Sequence, residues 1–533
     1  MRRKGKGEQR VSLWRAALAH PFLFFVLICA VVMAGMPVEK ALAKVNVSLA
    51  QRKERALLIG VDEFVSRPNT YPSSTNNVYA MQEIFQAAQT PLEALIIPSE
   101  PVIEVGELTA LIRETFAGAT EWDVSYLYIS THGNYDPQSN EEPVLLLSDG
   151  ENENRMTAAE LEAAFDGIAG KKVIILDACN SGAFIGKGAL NWTRPIRFLG
   201  DDFKMITSSG ALEESWYWNA EETEEITSPF GSPKTPQGAF YFTQELLQSL
   251  SPRYGYPSDS NRDGEVTLQE LYEYLLENHA ASTPQVYPQR DDFVVFRYDP
   301  QEELPRGQDR SPILDITFSG TIVNQASQSV TLEYIATRPV RVGYQIVQPR
   351  DGKWMFDEAK LLFDDVERFN AFGDQEGAVS AGRKVRTLSL NADAQGGYGY
   401  TMVQLVSIDQ GEVTVHAGRV FCIPPAVGDL QLGVKVPRQY NLETQEELSV
   451  FVRHAYPCAL SVAVVNEQGD VVLRLCHRRS TRPSQTIPKG SLFYWDGNDK
   501  NGVPVPPGIY HIQVSGSIND NMEKIVSDAI EIR

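Results

Sequence analysis

A histidine and a cysteine each follow an apolar run, in Tyr128-Ile129-Ser130-Thr131-His132-Gly133 and in Ile174-Ile175-Leu176-Asp177-Ala178-Cys179-Asn180-Ser181-Gly182. Short continuous runs of β-branched and large apolar residues read as buried parallel strands. Both side chains then lie just past the carboxyl end of a core strand, where open α/β sheets bind their ligands. An imidazole beside a thiol forms the ion pair that makes sulfur a strong nucleophile near neutral pH. Ala178, Ser181 and Gly182 are small enough to let backbone and substrate approach, and the polar turn Asn180-Ser181-Gly182 suggests an exposed elbow. Gly133 leaves the backbone N–H after the histidine open to a ligand.

A second constellation runs from Asp259 to Glu270. Oxygen-bearing side chains fall at positions 1, 3, 5 and 12 of a twelve-residue calcium loop (Asp259, Asn261, Asp263, Glu270). Gly264 stands at position 6, Glu265 at 7 and aliphatic Val266 at 8, and Leu268 to His279 reads as the exit helix. Ca2+ is therefore the expected metal.

These sites sit in a chain of 533 residues, more than one hydrophobic core usually supports. Its net charge is −21, which argues against a nucleic-acid partner, since that needs a basic face. The amino terminus inverts the sign. Residues 1–43 carry Arg2, Arg3, Lys4, Lys6, Arg10 and Arg15 ahead of an apolar core from Phe22 to Gly35, then Ala41-Leu42-Ala43. This reads as a cleaved signal peptide in preference to an uncleaved anchor, and implies a secreted or cell-surface location. Five cysteines are too few for a disulfide scaffold. Cys458 and Cys476 flank a hairpin diagonally, and a bridge between them is left open.

From Arg55 to about Tyr298 strand-like and helix-like segments alternate, as in a mostly parallel sheet covered by helices. The expected strands are Ala56–Val61, Leu95–Ile97, Val124–Ser130, Val173–Leu176, Lys204–Thr207 and Phe293–Arg297. Helices are expected over Asn77–Ala88, Glu107–Phe116, Phe240–Leu250 and Leu268–His279. Thr157 and Glu160 form a capping box for another, through Phe165. Pro143 to Leu147 reads as a hairpin insertion. Residues 301–312 are a linker. Period-2 alternation beyond it predicts two all-β sandwich units, 313–425 and 427–533.

The His-Gly and Asp-Ala-Cys-x-Ser-Gly strand ends, in that order, resemble the caspase/metacaspase-like cysteine peptidases of clan CD. The resemblance covers 55–300 and implies an α/β caspase-like sheet with helices on both faces. It also implies a peptide or protein substrate and a thioester mechanism. Cys179 would be the nucleophile and His132 the acid and base, with the N–H groups of Gly133 and Cys179 as oxyanion hole. In metacaspase-like relatives the acidic residue two before the nucleophile lines the first specificity pocket and favours Arg or Lys; Asp177 stands there. Ser208 matches the pocket wall by position. Where a second pocket acid is expected, this chain has Asn76-Asn77. Corresponding folds are often processed after the nucleophile, which would place cleavage at Lys187 or Arg197. The 427–533 unit, with Trp495-Asp496-Gly497-Asn498-Asp499, resembles the immunoglobulin-like domain of flagellar hook-capping (FlgD-type) proteins. Such β units are candidates for cell-surface attachment. The competing expectation is a caspase-like binding or scaffold protein without activity; intact His132, Gly133 and Cys179 favour the enzyme.

Overall fold

The computed structural model describes residues 52–533 except 90–91, 137–140, 186–196, 199, 221–236, 279–281, 290, 320–328, 348, 351–352, 355–360, 364–377, 391–398, 410–411, 424–429, 443–446, 482–488, 501 and 519–520. The expected signal segment and Lys187 lie outside the described residues. Among the described residues no helix is long and apolar enough to cross a membrane.

The first unit is built on β1 (Glu54–Gly60), β2 (Ala94–Ile96), β3 (Val124–Ser130), β7 (Lys171–Asp177), β8 (Phe203–Thr207) and β12 (Gln285–Tyr287). They form one sheet in the order β12-β8-β7-β3-β1-β2. All neighbours pair parallel except β12, which runs antiparallel to β8. Alternate residues of each strand feed opposite faces. Leu57, Leu127 and Ile174 pack with α2 (Val105–Thr115) and α3 (Ala158–Ala164). Leu58, Tyr128 and Ile175 pack with α1 (Ser73–Gln86), α4 (Tyr241–Leu250) and α5 (Leu268–Asn278). Burial on both faces explains why the strands lack polar alternation.

Helix α1 starts four residues before its apolar pattern does. Asp62 is the reason: its Oδ1 accepts from the Ser74 N–H and its Oδ2 from the Thr75 N–H, each at 2.8 Å, taking the place of an N-cap. The capping box of Thr157 and Glu160 forms as read. The insertion after β3 is a three-stranded sheet of β4 (Gly133–Asn134), β5 (Val144–Ser148) and β6 (Glu153–Thr157). The pair β9 (Tyr217–Ala220) with β10 (Gln237–Phe240) had no sequence signal, and neither did β12. The expected strand Phe293–Arg297 forms as β13 (Val294–Arg297), but outside the main sheet: it runs antiparallel to β11 (Glu265–Thr267), and β12 takes the sheet edge in its place.

Beyond the linker the chain is all β. The strands Ile313–Phe318, Ser329–Ala336 and Gly382–Ser389 form one sheet. Leu361–Phe363, Arg341–Val347, Gly399–Asp409 and Glu412–Ile423 form another, and a common apolar core lies between them. The last unit packs the sheet Gly433–Lys435, Leu448–Arg453, Gly490–Trp495 against a larger sheet that includes Cys458–Asn466 and Gly508–Ile518. Cys458 and Cys476 are not joined by a disulfide, so the bridge left open does not form. Register explains it: Cys458 stands opposite Thr481, and Cys476 opposite Val462.

Candidate active site

Ser130 and Asp177 are register partners at the ends of β3 and β7. His132 and Cys179 each lie two residues further, so the parallel pairing delivers both to the same edge. The two loops then touch. A Cβ on Gly133 would overlap the carbonyl oxygen of Cys179 and crowd the Ala178 side chain. Gly133 faces Leu145, flanked by the bond from the Leu146 N–H to the His132 carbonyl (2.9 Å). In that register the Gly133 N–H points away from β5.

The imidazole of His132 is oriented by a loop that sequence reading missed. Its Nε2 lies 2.9 Å from the Pro68 carbonyl, an acceptor only, so Nε2 carries the proton. The loop is held by Glu153, whose carboxylate accepts from the Val65 and Ser66 N–H groups at 3.1 Å. The Phe64 ring packs on the imidazole at 4.4 Å and Tyr217 stands edge-on at 6.5 Å. Burial lowers the His132 pKa, and the Arg67 charge lowers it further. The imidazole is thus neutral near pH 7, with Nδ1 as a free base.

The nucleophile's turn is built differently from an exposed elbow. Asn180 is left-handed (φ 58°) and leads into a short 3-10 turn, Ser181–Ala183. Asn180, Ser181 and Gly182 are buried. Their polarity is used internally: Asn180 Nδ2 donates to the Ala211 carbonyl (2.9 Å), and Ser181 Oγ meets Ser209 Oγ (3.2 Å). Cys179 keeps partial exposure, with Sγ 3.6 Å from the Ser215 carbonyl. Burial first, then the Glu214 charge, pushes its thiol up to about 12. In this resting geometry the pair is therefore thiol and neutral imidazole, not the ion pair expected from residue types alone.

Asp177 is fully buried. Its carboxylate accepts from Ser215 Oγ (2.9 Å) and Thr243 Oγ1 (2.7 Å), and Tyr128 OH lies 2.6 Å from the same Thr243 oxygen. Burial raises its pKa to about 6, against the pull of those hydroxyls. Ser208, also buried, accepts from the Ala178 N–H (3.1 Å) and donates to the Ala178 carbonyl (3.2 Å). Instead of walling a pocket it clamps the residue before the nucleophile. Asn76 and Asn77 are committed to β10: Asn76 Nδ2 donates to the Gly238 carbonyl (2.8 Å), and Asn77 Oδ1 accepts from the Phe240 N–H (3.1 Å). Arg197 is pinned by Glu142 (2.5 Å) and Glu162 (3.4 Å), which makes it a poor processing point in this conformation.

The Asp259–Glu270 loop is folded by side-chain-to-backbone turns. Asp259 accepts from the N–H groups of Arg262 (2.7 Å) and Gly264 (3.0 Å), Asn261 from Asp263 (2.9 Å), and Asp263 from Glu265 (2.9 Å). Gly264 has φ +88° and its Cβ would strike Pro300, so only glycine fits. The side chains are otherwise engaged. Asp259 also accepts from Tyr298 OH (2.7 Å), Glu270 from Thr267 and Ser260, and Glu265 pairs with Arg297 at 2.9 Å. At position 7 a calcium loop uses the backbone carbonyl, so the pairing of the Glu265 side chain with Arg297 is compatible with the expectation. Among the described residues no group of three or more His, Cys, Asp or Glu is gathered as for a metal ion.

The loops that carry the candidate site pack against the last unit. Tyr135, Ala183, Ala211 and Leu212 pack with Phe451 and Leu492 of its smaller sheet.

A parallel sheet in this order, with histidine and cysteine loops meeting at its carboxyl edge, defines a caspase-like α/β unit, followed here by β units. A family model described as CHAT domain matches residues 8–194, a span that contains both His132 and Cys179. Among solved structures, dimeric latent PorU from Porphyromonas gingivalis is similar at 16% identity, covering 41% of this chain, TM-score 0.17. The chain spans only 20% of that protein's length. Protein GSU0716 from Geobacter sulfurreducens is similar at 12% identity over 44% of this chain and 92% of its own, TM-score 0.29. Caspase-1 from Spodoptera frugiperda is similar at 15% identity over 44% and 88%, TM-score 0.29. No curated protein matches the chain.

Proposed function

We propose that the chain is an exported cysteine endopeptidase acting through Cys179 and His132. The observation that carries this reading is the Pro68 carbonyl on His132 Nε2, which leaves Nδ1 as the base. On attack the Cys179 proton passes to Nδ1 and Sγ bonds to the scissile carbonyl carbon. Collapse breaks the C–N bond, and the imidazolium gives its proton to the leaving amine. Nδ1 then takes a proton from water, which hydrolyses the thioester and releases the thiol. The N–H groups of Gly133 and Cys179 would receive the oxyanion, a contribution of about 3 kcal/mol per donor in comparable sites.

Preference for Arg or Lys is supported by Asp177, a buried carboxylate whose described partners are hydroxyls. Calcium is proposed at Asp259, Asn261, Asp263, Glu270 and the Glu265 carbonyl. It would draw these oxygens together and tie the α4–α5 connection to β13. The β units are proposed to be immunoglobulin-like and to hold the enzyme at a cell surface. A second reading, a catalytically silent binding protein, is favoured only by the raised Cys179 pKa.

Covalent labelling by a thiol-directed peptidyl probe with Arg at its reactive end tests the proposal. Labelling at Cys179 that His132→Ala suppresses supports the enzyme. Absence of labelling and of peptide hydrolysis, with calcium present, supports the silent protein.

A further inference from the structure

A cavity of about 560 Å³ opens where the α/β unit meets the first sandwich, between α1, the β9–β10 pair, α4 and the strand Glu412–Ile423. That volume suits a small organic ligand. In a chain of net charge −21, the described residues lining it include two arginines, Arg253 and Arg338, and no Asp or Glu. Arg338 Nη1 donates to the carbonyls of Gly307 (2.8 Å) and Arg310 (2.6 Å), which holds its guanidinium at the wall. The two positive charges converge on fully buried His416: burial first, then Arg253 and Arg338, push its imidazole down to about 3.

Among the described residues, seven buried side-chain polar atoms have no hydrogen-bond partner, and three belong to this wall: Trp218 Nε1, His416 Nδ1 and Gln244 Oε1. Buried polar groups are nearly always paired in native proteins. Orphans gathered around one cavity therefore point to a group from outside the chain. Two of them suit an acceptor. Trp218 Nε1 only donates. Ser407 Oγ lies 2.7 Å from His416 Nε2, and its hydroxyl can donate there, leaving the imidazole proton on Nδ1.

We propose that this cavity binds a small organic anion, its carboxylate or phosphate oxygens held by Arg253 and Arg338, with Trp218 and His416 as further donors. Leu247 and Pro312 supply apolar wall for its carbon part. The cavity is separate from Cys179 but connected to the proposed site. Trp218 follows Tyr217, which stands edge-on to His132, and Asn77 Nδ2 donates to Ser130 Oγ at 3.1 Å. An occupant would stiffen the β9 strand from behind.

Isothermal titration of the full chain with citrate and with inorganic phosphate tests the site. Binding of at least one probe is expected, with affinity falling at least about tenfold in Arg253→Gln, the loss expected for one charge-assisted hydrogen bond. Arg338→Gln is expected to do the same and serves if the first variant misfolds, while Arg113→Gln, an exposed site on α2, should keep wild-type affinity. No binding of either probe, or equal affinity in the wild type and both cavity variants, overturns the proposal. Because the readout is binding, the same titration on Cys179→Ala separates failure of this site from failure of the peptidase reading.

Discussion

The α-carbon of Gly133 lies against the carbonyl oxygen of Cys179, so the residue after the histidine and the nucleophile itself share one van der Waals boundary. A methyl group there must push the two loops apart. Gly133→Ala is expected to destabilise the fold by about 1–3 kcal/mol, the usual range for overpacking. It should also lower turnover roughly a hundredfold or more, because an oxyanion donor is displaced. Thermal denaturation and peptide hydrolysis check the two effects; wild-type turnover would remove Gly133 from the mechanism.

The proposed preference for Arg or Lys would depend on pH through Asp177. Its folded pKa is raised from 3.8 to about 6, so the native state favours the protonated acid. Its contribution to stability is therefore fullest below about 4 and declines as pH rises to 6. The charge that would attract a basic side chain appears only as pH climbs through 6. Hence kcat/KM for an Arg-terminated peptide is expected to rise across pH 5–7 more steeply than for a neutral analogue. Asp177→Asn should flatten that difference, and a profile unchanged by the substitution would exclude Asp177 from specificity.

Phe451 packs against Tyr135, three residues after His132, and against the Ala211–Leu212 turn that precedes Tyr217. Phe451→Ala removes a buried aromatic and should lower stability by roughly 3 kcal/mol. If the last unit braces the active-site loops, activity falls as well, and at a temperature where the variant is still folded. Turnover equal to wild type under those conditions would make the contact purely structural.

Calcium at the Asp259–Glu270 loop would stabilise the native state by about 2.7 kcal/mol at a hundredfold excess over Kd. Asp263→Ala is the informative variant, since Asp263 is exposed whereas Asp259 is buried against Tyr298. The thermal midpoint of the wild type should rise with calcium, and that of Asp263→Ala should not. Equal responses would place any calcium effect elsewhere.

Strand and helix order in the first unit was legible because buried parallel strands announce themselves as unbroken apolar runs and β3 and β7 end in chemically distinctive residues. His132 and Cys179 could be named from those runs alone. Their protonation states could not, since pKa follows from desolvation and from charges such as Arg67 and Glu214, brought close by loops without periodic signal. Pro68 was likewise invisible: any residue's carbonyl could orient an imidazole, and only the fold selects which. The partners of Ser208 and of the Glu265 side chain were hidden for the same reason. A hydroxyl or carboxylate in sequence is a capacity for bonding, and its partner is decided by what packs beside it, here the Ala178 backbone and Arg297. The residues and spacing by themselves determined the chemistry on offer, a thiol, an imidazole and a calcium-type loop. The parallel register that sets Ser130 beside Asp177, and the burial around it, decided how those groups face one another.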